Sequence, residues 1–159
     1  MKIVLLENFG PTAREAARRL RAAGHDVLHT DSTQQAVSCA RLERVDMVIA
    51  ALFPRGLGSD EESGLNLALA AQFHNPDVVT ILLSDSAVFT GGELFDMLFS
   101  LRCVLPRPLP LADLMEIALH FLDVGPVDCA SEQLDGTEVC GRCLLSGICA
   151  HAQAQRLCA

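Results

Sequence analysis

The residues best equipped for chemistry in this 159-residue chain are crowded toward its end: Cys140-Gly-Arg-Cys143 and Cys149-Ala-His151, with Cys129 and Cys158 to either side. A C-x-x-C knuckle is one half of many zinc sites, and thiolate and imidazole are ligands that zinc favours. Spacing makes Cys140, Cys143, Cys149 and His151 the candidate ligand set, with Cys129 or Cys158 as alternatives to the histidine. The second half of this set is irregular, because a zinc ribbon repeats C-x-x-C at a recognised interval. Two further readings therefore stand beside zinc: a packed or helical tail with inert thiols, and redox chemistry at Cys-Gly-Arg-Cys of the thioredoxin kind. The segment holds too few apolar residues to build a core alone.

Seven cysteines are an odd count, and five of them lie beyond residue 128. The apolar start Met1 to Leu6 is too short for a signal peptide, and no apolar run reaches the roughly 18 to 20 residues of a membrane span. The expectation is a soluble, cytoplasmic protein whose thiols are reduced or metal-bound rather than paired. The cysteine asymmetry sets the expected division at 1–124 for the folded domain and 125–159 for the Cys-rich extension. A net charge of −8 argues against nucleic acid as a partner, since phosphate binding needs a clustered basic face. An enzyme is not expected either: no nucleophile stands with a base partner, and no glycine loop cradles phosphate.

The elements that must position any chemistry read as alternating strands and helices. Lys2 to Leu6 and His25 to Thr30 are strand-like. Between them Thr12 to Ala23 carries Ala13, Ala16, Ala17, Leu20 and Ala23 at helical spacing, with arginines mostly outside the stripe and Gly24 as a stop. A second helix runs from the caps Asp31-Ser32-Thr33 to about Arg44. The apolar run from Asp46 to Phe53 is a buried strand, ended by Pro54 and Gly56. Further on come a helix from Gly64 to Gln72, a strand from Val78 to Ser84, a helix from Gly91 to Leu101 and a strand from Arg102. A last helix, Leu111 to Leu122, buries Leu111, Leu114, Met115, Ala118 and Phe121. The order and short links predict an α/β fold: a five-stranded, parallel, doubly wound sheet.

The run Asp46-Met-Val-Ile-Ala-Ala-Leu-Phe-Pro-Arg-Gly56 resembles the third strand of the receiver domain of bacterial two-component response regulators. That strand carries a phosphate-accepting aspartate at its carboxyl end; here the place falls on Ala50 or Ala51, depending on whether one counts back from Pro54 or on from Asp46. The resemblance implies a flavodoxin-like fold of receiver type and locates a degenerate phosphorylation pocket at Glu7, Asn8, Ala51, Ser84 and Arg107. Glu7 and Asn8 stand where the family has two acidic magnesium ligands, Ser84 where it has a hydroxyl, and Arg107-Pro108 where it has Lys-Pro. Val104 stands where it has a switch aromatic. Between Pro54 and Gly64 the chain is longer than the family's turn, and Asp60, Glu61 and Glu62 are expected to cap the following helix.

Magnesium takes several hard oxygen ligands and phosphorylation needs a carboxylate nucleophile. With alanine at the acceptor place and Asn8 neutral, the expectation is no magnesium and no phosphorylation. Asp46 lies at the far end of its strand and is expected to be a strand-entry residue. Arg107 is read either as a partner of Glu7 or as a surface arginine. The function that follows is a phosphorylation-independent interaction module, engaging a histidine kinase, a phosphotransfer protein, another regulator or a second copy. Its expected partner face is Met97, Phe99, Val104 and Ile117. The alternative is a metal or redox sensor with the Cys-rich tail as input. Cys39 and Cys103 read as small core residues.

Overall fold

A computed structural model of the chain describes residues 1–8, 10–53, 63–85 and 93–124. The candidate zinc ligands Cys140, Cys143, Cys149 and His151, with Cys129 and Cys158, lie outside the described residues, as do Asp60, Glu61 and Glu62. Strands β1 (Lys2–Leu6), β2 (Asp26–Thr30), β3 (Met47–Ala51), β4 (Val79–Ser84) and β5 (Leu101–Pro106) alternate with helices α1 (Pro11–Ala22), α2 (Thr33–Leu42), α3 (Gly64–His74), α4 (Glu93–Met97) and α5 (Leu111–Val124). The strands form one sheet in the order β2-β1-β3-β4-β5, and every pairing is parallel.

A parallel sheet needs both faces covered, which is why its central strands are apolar throughout. Residues alternate between faces along each strand. Ile3, Leu5, Met47, Ile49, Ile81 and Leu83 pack with Ala13, Ala16, Ala17 and Leu20 of α1 and Leu114, Met115 and Ala118 of α5. Val4, Leu6, Val48, Ala50 and Leu82 pack with α2, α3 and α4 on the other side. Small residues in α1 let it lie close to the sheet, and its end is fixed by Gly24 at φ 89°, a conformation costly for other residues.

At the amino end of the sheet Asp46 accepts a hydrogen bond from the Lys2 amide at 2.7 Å, which makes it the strand-entry residue expected. The Gly91 to Leu101 helix is shorter than its periodicity predicts. Among the described residues α4 ends at Met97, and Leu98–Ser100 turn into β5. The physical reason is a buried polar cluster. The Ser100 carbonyl accepts from the Thr80 amide at 2.9 Å, its hydroxyl lies 3.0 Å from that of Thr80, and it donates to Gln72 Oε1 at 3.1 Å. Satisfying three buried polar side chains outweighs one more helical turn.

Candidate functional site

The carboxyl end of the sheet gathers the residues of interest by register. Leu5 is level with Ile49, so two residues further along each chain Glu7 comes level with Ala51, which is itself level with Leu83 and then Leu105. Two residues beyond these, Phe53, Asp85 and Arg107 share the same face. Ala50 instead packs in the opposite cluster, beneath α3. Ala51 is therefore the residue that shares a face with Glu7 and Arg107, and it is fully buried with no side-chain oxygen.

Arg107 is the centre of this end. Its Nη1 donates to both oxygens of Glu7, at 3.0 and 2.9 Å. Nη2 donates to the Phe53 carbonyl at 3.4 Å and meets the carboxylate of Asp85. The Arg107 amide donates to the Ser84 carbonyl at 2.9 Å, so Ser84 enters the site through its backbone. Alternation assigns its side chain to the other face, with Leu82. One guanidinium thus ties together the ends of four strands: β1, β3 and β4 through its contacts, and β5 through its own chain. Arginine suits this role because its planar fork presents several donors at fixed angles.

Glu7 is buried, and one of its oxygens also accepts from the Asn8 amide at 2.9 Å. The Asn8 side chain is turned to its own loop, accepting from the Gly10 amide at 3.1 Å. Around the cluster opens a cavity of about 610 Å³ whose walls include Leu5, Ala13, Leu83 and Leu114, with Thr12 and Asn8 among its polar lining. These residues do not fit the magnesium ion that the fold family implies. The guanidinium already stands between Glu7 and Asp85, Asn8 is turned away, and Ala51 offers no oxygen.

Sequence reasoning missed two contributors. Asp85 has the parity of Leu83 and directly follows the strand, which is the signal that could have found it. The Phe53 carbonyl left no signal, because backbone acceptors carry no residue type. The residues of the expected partner face differ in exposure. Met97 and Phe99 are exposed, but Val104 and Ile117 are half-buried, packed into clusters on opposite sides of the sheet. Val104 lies on edge strand β5 and Ile117 on α5, and each is partly covered by the cluster on its own side of the sheet. Of the two thiols expected in the core, Cys39 is buried and Cys103 half-buried, and burial pushes the Cys103 thiol up to about 12.

Beside the site His29 is level with Leu5. Burial pushes its imidazole below the ordinary value of 6.5, against hydrogen bonds to the backbone of Asn8 and Glu7 that act the other way. The folded protein disfavours the charged form, so the unfolded chain takes up the proton more readily. Stability from this group is full above the ordinary value and is lost as pH falls below it. The urea midpoint is expected to drop between about pH 7.5 and about pH 5.5, and His29→Gln should flatten that drop. An equally steep drop in the variant would place its origin elsewhere.

No protein-family model and no curated protein matches the chain. Solved structures do. The chain is similar to a CheY-like response regulator receiver domain protein from Methanospirillum hungatei JF-1, with TM-score 0.62 and 15% identity over 77% of this chain and 93% of that one. It is similar to a response regulator from Thermotoga maritima, with TM-score 0.58 and 20% identity over 77% and 97%. A third structure is described as one of a novel family of redox sensors in the streptococci evolved from two-component response regulators, with TM-score 0.61 and 17% identity. There the match covers 77% of this chain and 51% of the other. At these identities the likeness is one of fold: the described residues form a receiver-type α/β domain.

Proposed function

We propose that this chain is a phosphorylation-independent pseudo-receiver, a non-enzymatic interaction module of two-component signalling. Its partner is a histidine kinase, a phosphotransfer protein, another regulator or a second copy. The observation that carries this reading is Ala51, a methyl group on the face where Arg107 is already neutralised by Glu7 and Asp85. An acceptor carboxylate is missing, and the cation that would steady an incoming phosphoryl group is committed elsewhere.

Incubation of the protein with acetyl phosphate and magnesium, or with a cognate kinase, should leave its intact mass unchanged. Ala51→Asp alone should also remain unlabelled, because the guanidinium stays on Glu7 and Asn8 stays neutral. A base-labile acyl phosphate on the parent chain would sink the reading. Efficient labelling of the single variant would show that the pocket needs only its nucleophile.

A second reading is favoured by the Cys140-Gly-Arg-Cys143 spacing and by the redox-sensor description of one similar fold: a metal or redox sensor whose input is the Cys-rich tail. Protein purified without chelator should then carry zinc, held by Cys140, Cys143, Cys149 and His151. Less than about half an equivalent per chain, or a protease-resistant tail in excess chelator, would remove the zinc form of this reading.

A further inference from the structure

The side of the sheet that carries α1 and α5 presents two charge strips of opposite sign. Ala13, Ala16, Ala17 and Leu20 of α1 and Leu114, Met115, Ala118 and Leu122 of α5 pack into one core cluster, and the two helices are neighbours. Their outward faces differ. On α1, Arg14, Arg18, Arg19 and Arg21 are exposed, while its one carboxylate, Glu15, is half-buried and shared between Arg18 at 2.7 Å and Arg19 at 3.0 Å. Arg21 donates to the Val27 carbonyl at 2.8 Å, a neutral acceptor that leaves its charge uncancelled. With four arginines and one glutamate, α1 carries a net charge of +3 on a chain whose total is −8. On α5, Asp113, Glu116 and Asp123 are exposed and no arginine or lysine occurs, so this helix carries −3 with His120 neutral.

The strips also match in level. Both helices start at the carboxyl end of the sheet, where Thr12 and Ala13 line the same cavity as Leu114. Each then rises about 1.5 Å per residue away from that end. Arg14 therefore comes level with the turn from Asp113 to Glu116, and Arg18 and Arg21 with the turns from Glu116 to Asp123. A two-fold axis running parallel to the helices and between them lays α1 of each copy over α5 of the other at the same heights. The basic strip then meets the acidic one twice over.

This doubling selects the occupant. A uniformly acidic or uniformly basic partner satisfies one strip and is repelled by the other, whereas a second copy satisfies both at once. The chain-wide negative charge opposes association only at long range, because 0.15 M salt screens it beyond about 8 Å.

We infer that the α1–α5 face is where two copies of this chain associate, as an isologous dimer with α1 of each over α5 of the other. The inference rests on the interaction-module reading and selects the second copy among the partners named there. It keeps α5 from the face the sequence suggested and puts α1 in place of α4. A patch two helices wide, roughly 20 by 20 Å, lies at the low end for specific interfaces, so the dimer exchanges with monomer.

Sedimentation equilibrium of the full chain in 0.15 M salt should show a reversible monomer–dimer equilibrium that 1 M salt shifts to monomer, since the screening length falls to about 3 Å. Arg14→Glu with Arg18→Glu makes both strips acidic, and Glu116→Arg with Asp123→Arg makes both basic. Each double variant alone should dimerise at least about tenfold more weakly than the parent, with an unchanged melting temperature. Mixed in equal amounts, the two should form a heterodimer about as tight as the parent dimer, because each strip again meets its opposite. That restoration would also show both variants to be folded. A parent chain that stays monomeric up to about 1 mM would overturn the inference and leave the strips to a different protein. A dimer that survives 1 M salt or persists in both variants would overturn it in favour of an apolar face, and a mixture no more associated than its parts would overturn the pairing of α1 with α5. None of these results bears on labelling by acetyl phosphate, so the dimer and the pseudo-receiver reading can fail separately.

Discussion

Replacing Arg107 with alanine should lower the folding free energy by about 3 kcal/mol, the loss typical when one partner of a buried ion pair is removed. Glu7 would be left buried with a negative charge and a single backbone donor, the Asn8 amide. Its side chain is 11% exposed and that of Arg107 16%, so water can do little to replace the guanidinium. Glu7→Gln in the same background should recover part of the loss, because a neutral amide tolerates burial better than an unpaired carboxylate. Urea denaturation of both single variants and the double variant closes the cycle. A coupling of about 1 to 3 kcal/mol is expected. An Arg107→Ala midpoint indistinguishable from the parent's would show that the clamp contributes nothing to the fold.

The second large effect is expected at Gly64, the first residue of α3. A Cβ there would lie 2.3 Å from the Ala51 carbonyl oxygen and 3.0 Å from the Ala50 Cβ. Neither neighbour can retreat easily: both belong to β3 and are paired in register with β4. Alanine gains up to about 1 kcal/mol of helix propensity over glycine, but a clash with backbone costs more than that. Gly64→Ala should therefore destabilise by about 2 kcal/mol net and lower the melting temperature by roughly 10 °C. Gly24→Ala is the comparison. It has φ 89° but no atom within 4 Å of a new Cβ, so its loss should stay near 1 kcal/mol. If Gly64→Ala melts no lower than Gly24→Ala, the close approach of α3 to β3 is not what fixes that position.

The two variants also mark how much of this molecule was legible in its sequence. Strand β1 is found where an apolar run begins and ends, and α1 where a stripe of alanines stops at Gly24. The resemblance to receivers places Glu7 and Arg107 in one pocket, and the parallel sheet, which brings all its carboxyl ends to one edge, is what lets them meet. Counting could not choose between Ala50 and Ala51, because the two counts differ by one residue and only pairing with β1 and β4 fixes the face. Helix α4 was overrun because apolar spacing continues past Met97, whereas the hydrogen bonds of Ser100 to Thr80 and Gln72 are set by distant residues. Ile117 sits among Asp113, Glu116 and His120, which suggests the surface, yet its half-buried side chain packs against the core.

The contact between Arg107 and Glu7 joins residues 100 positions apart. Such a contact closes only after the intervening strands have found their order, since a long loop is not worth closing for one ion pair alone. Its energy is then absent from the folding barrier and present in the barrier to unfolding. A clamp worth about 3 kcal/mol lengthens the lifetime of the folded domain on the order of a hundredfold while leaving its rate of formation almost unchanged. In the pseudo-receiver proposed above, the arginine acts as a latch on persistence.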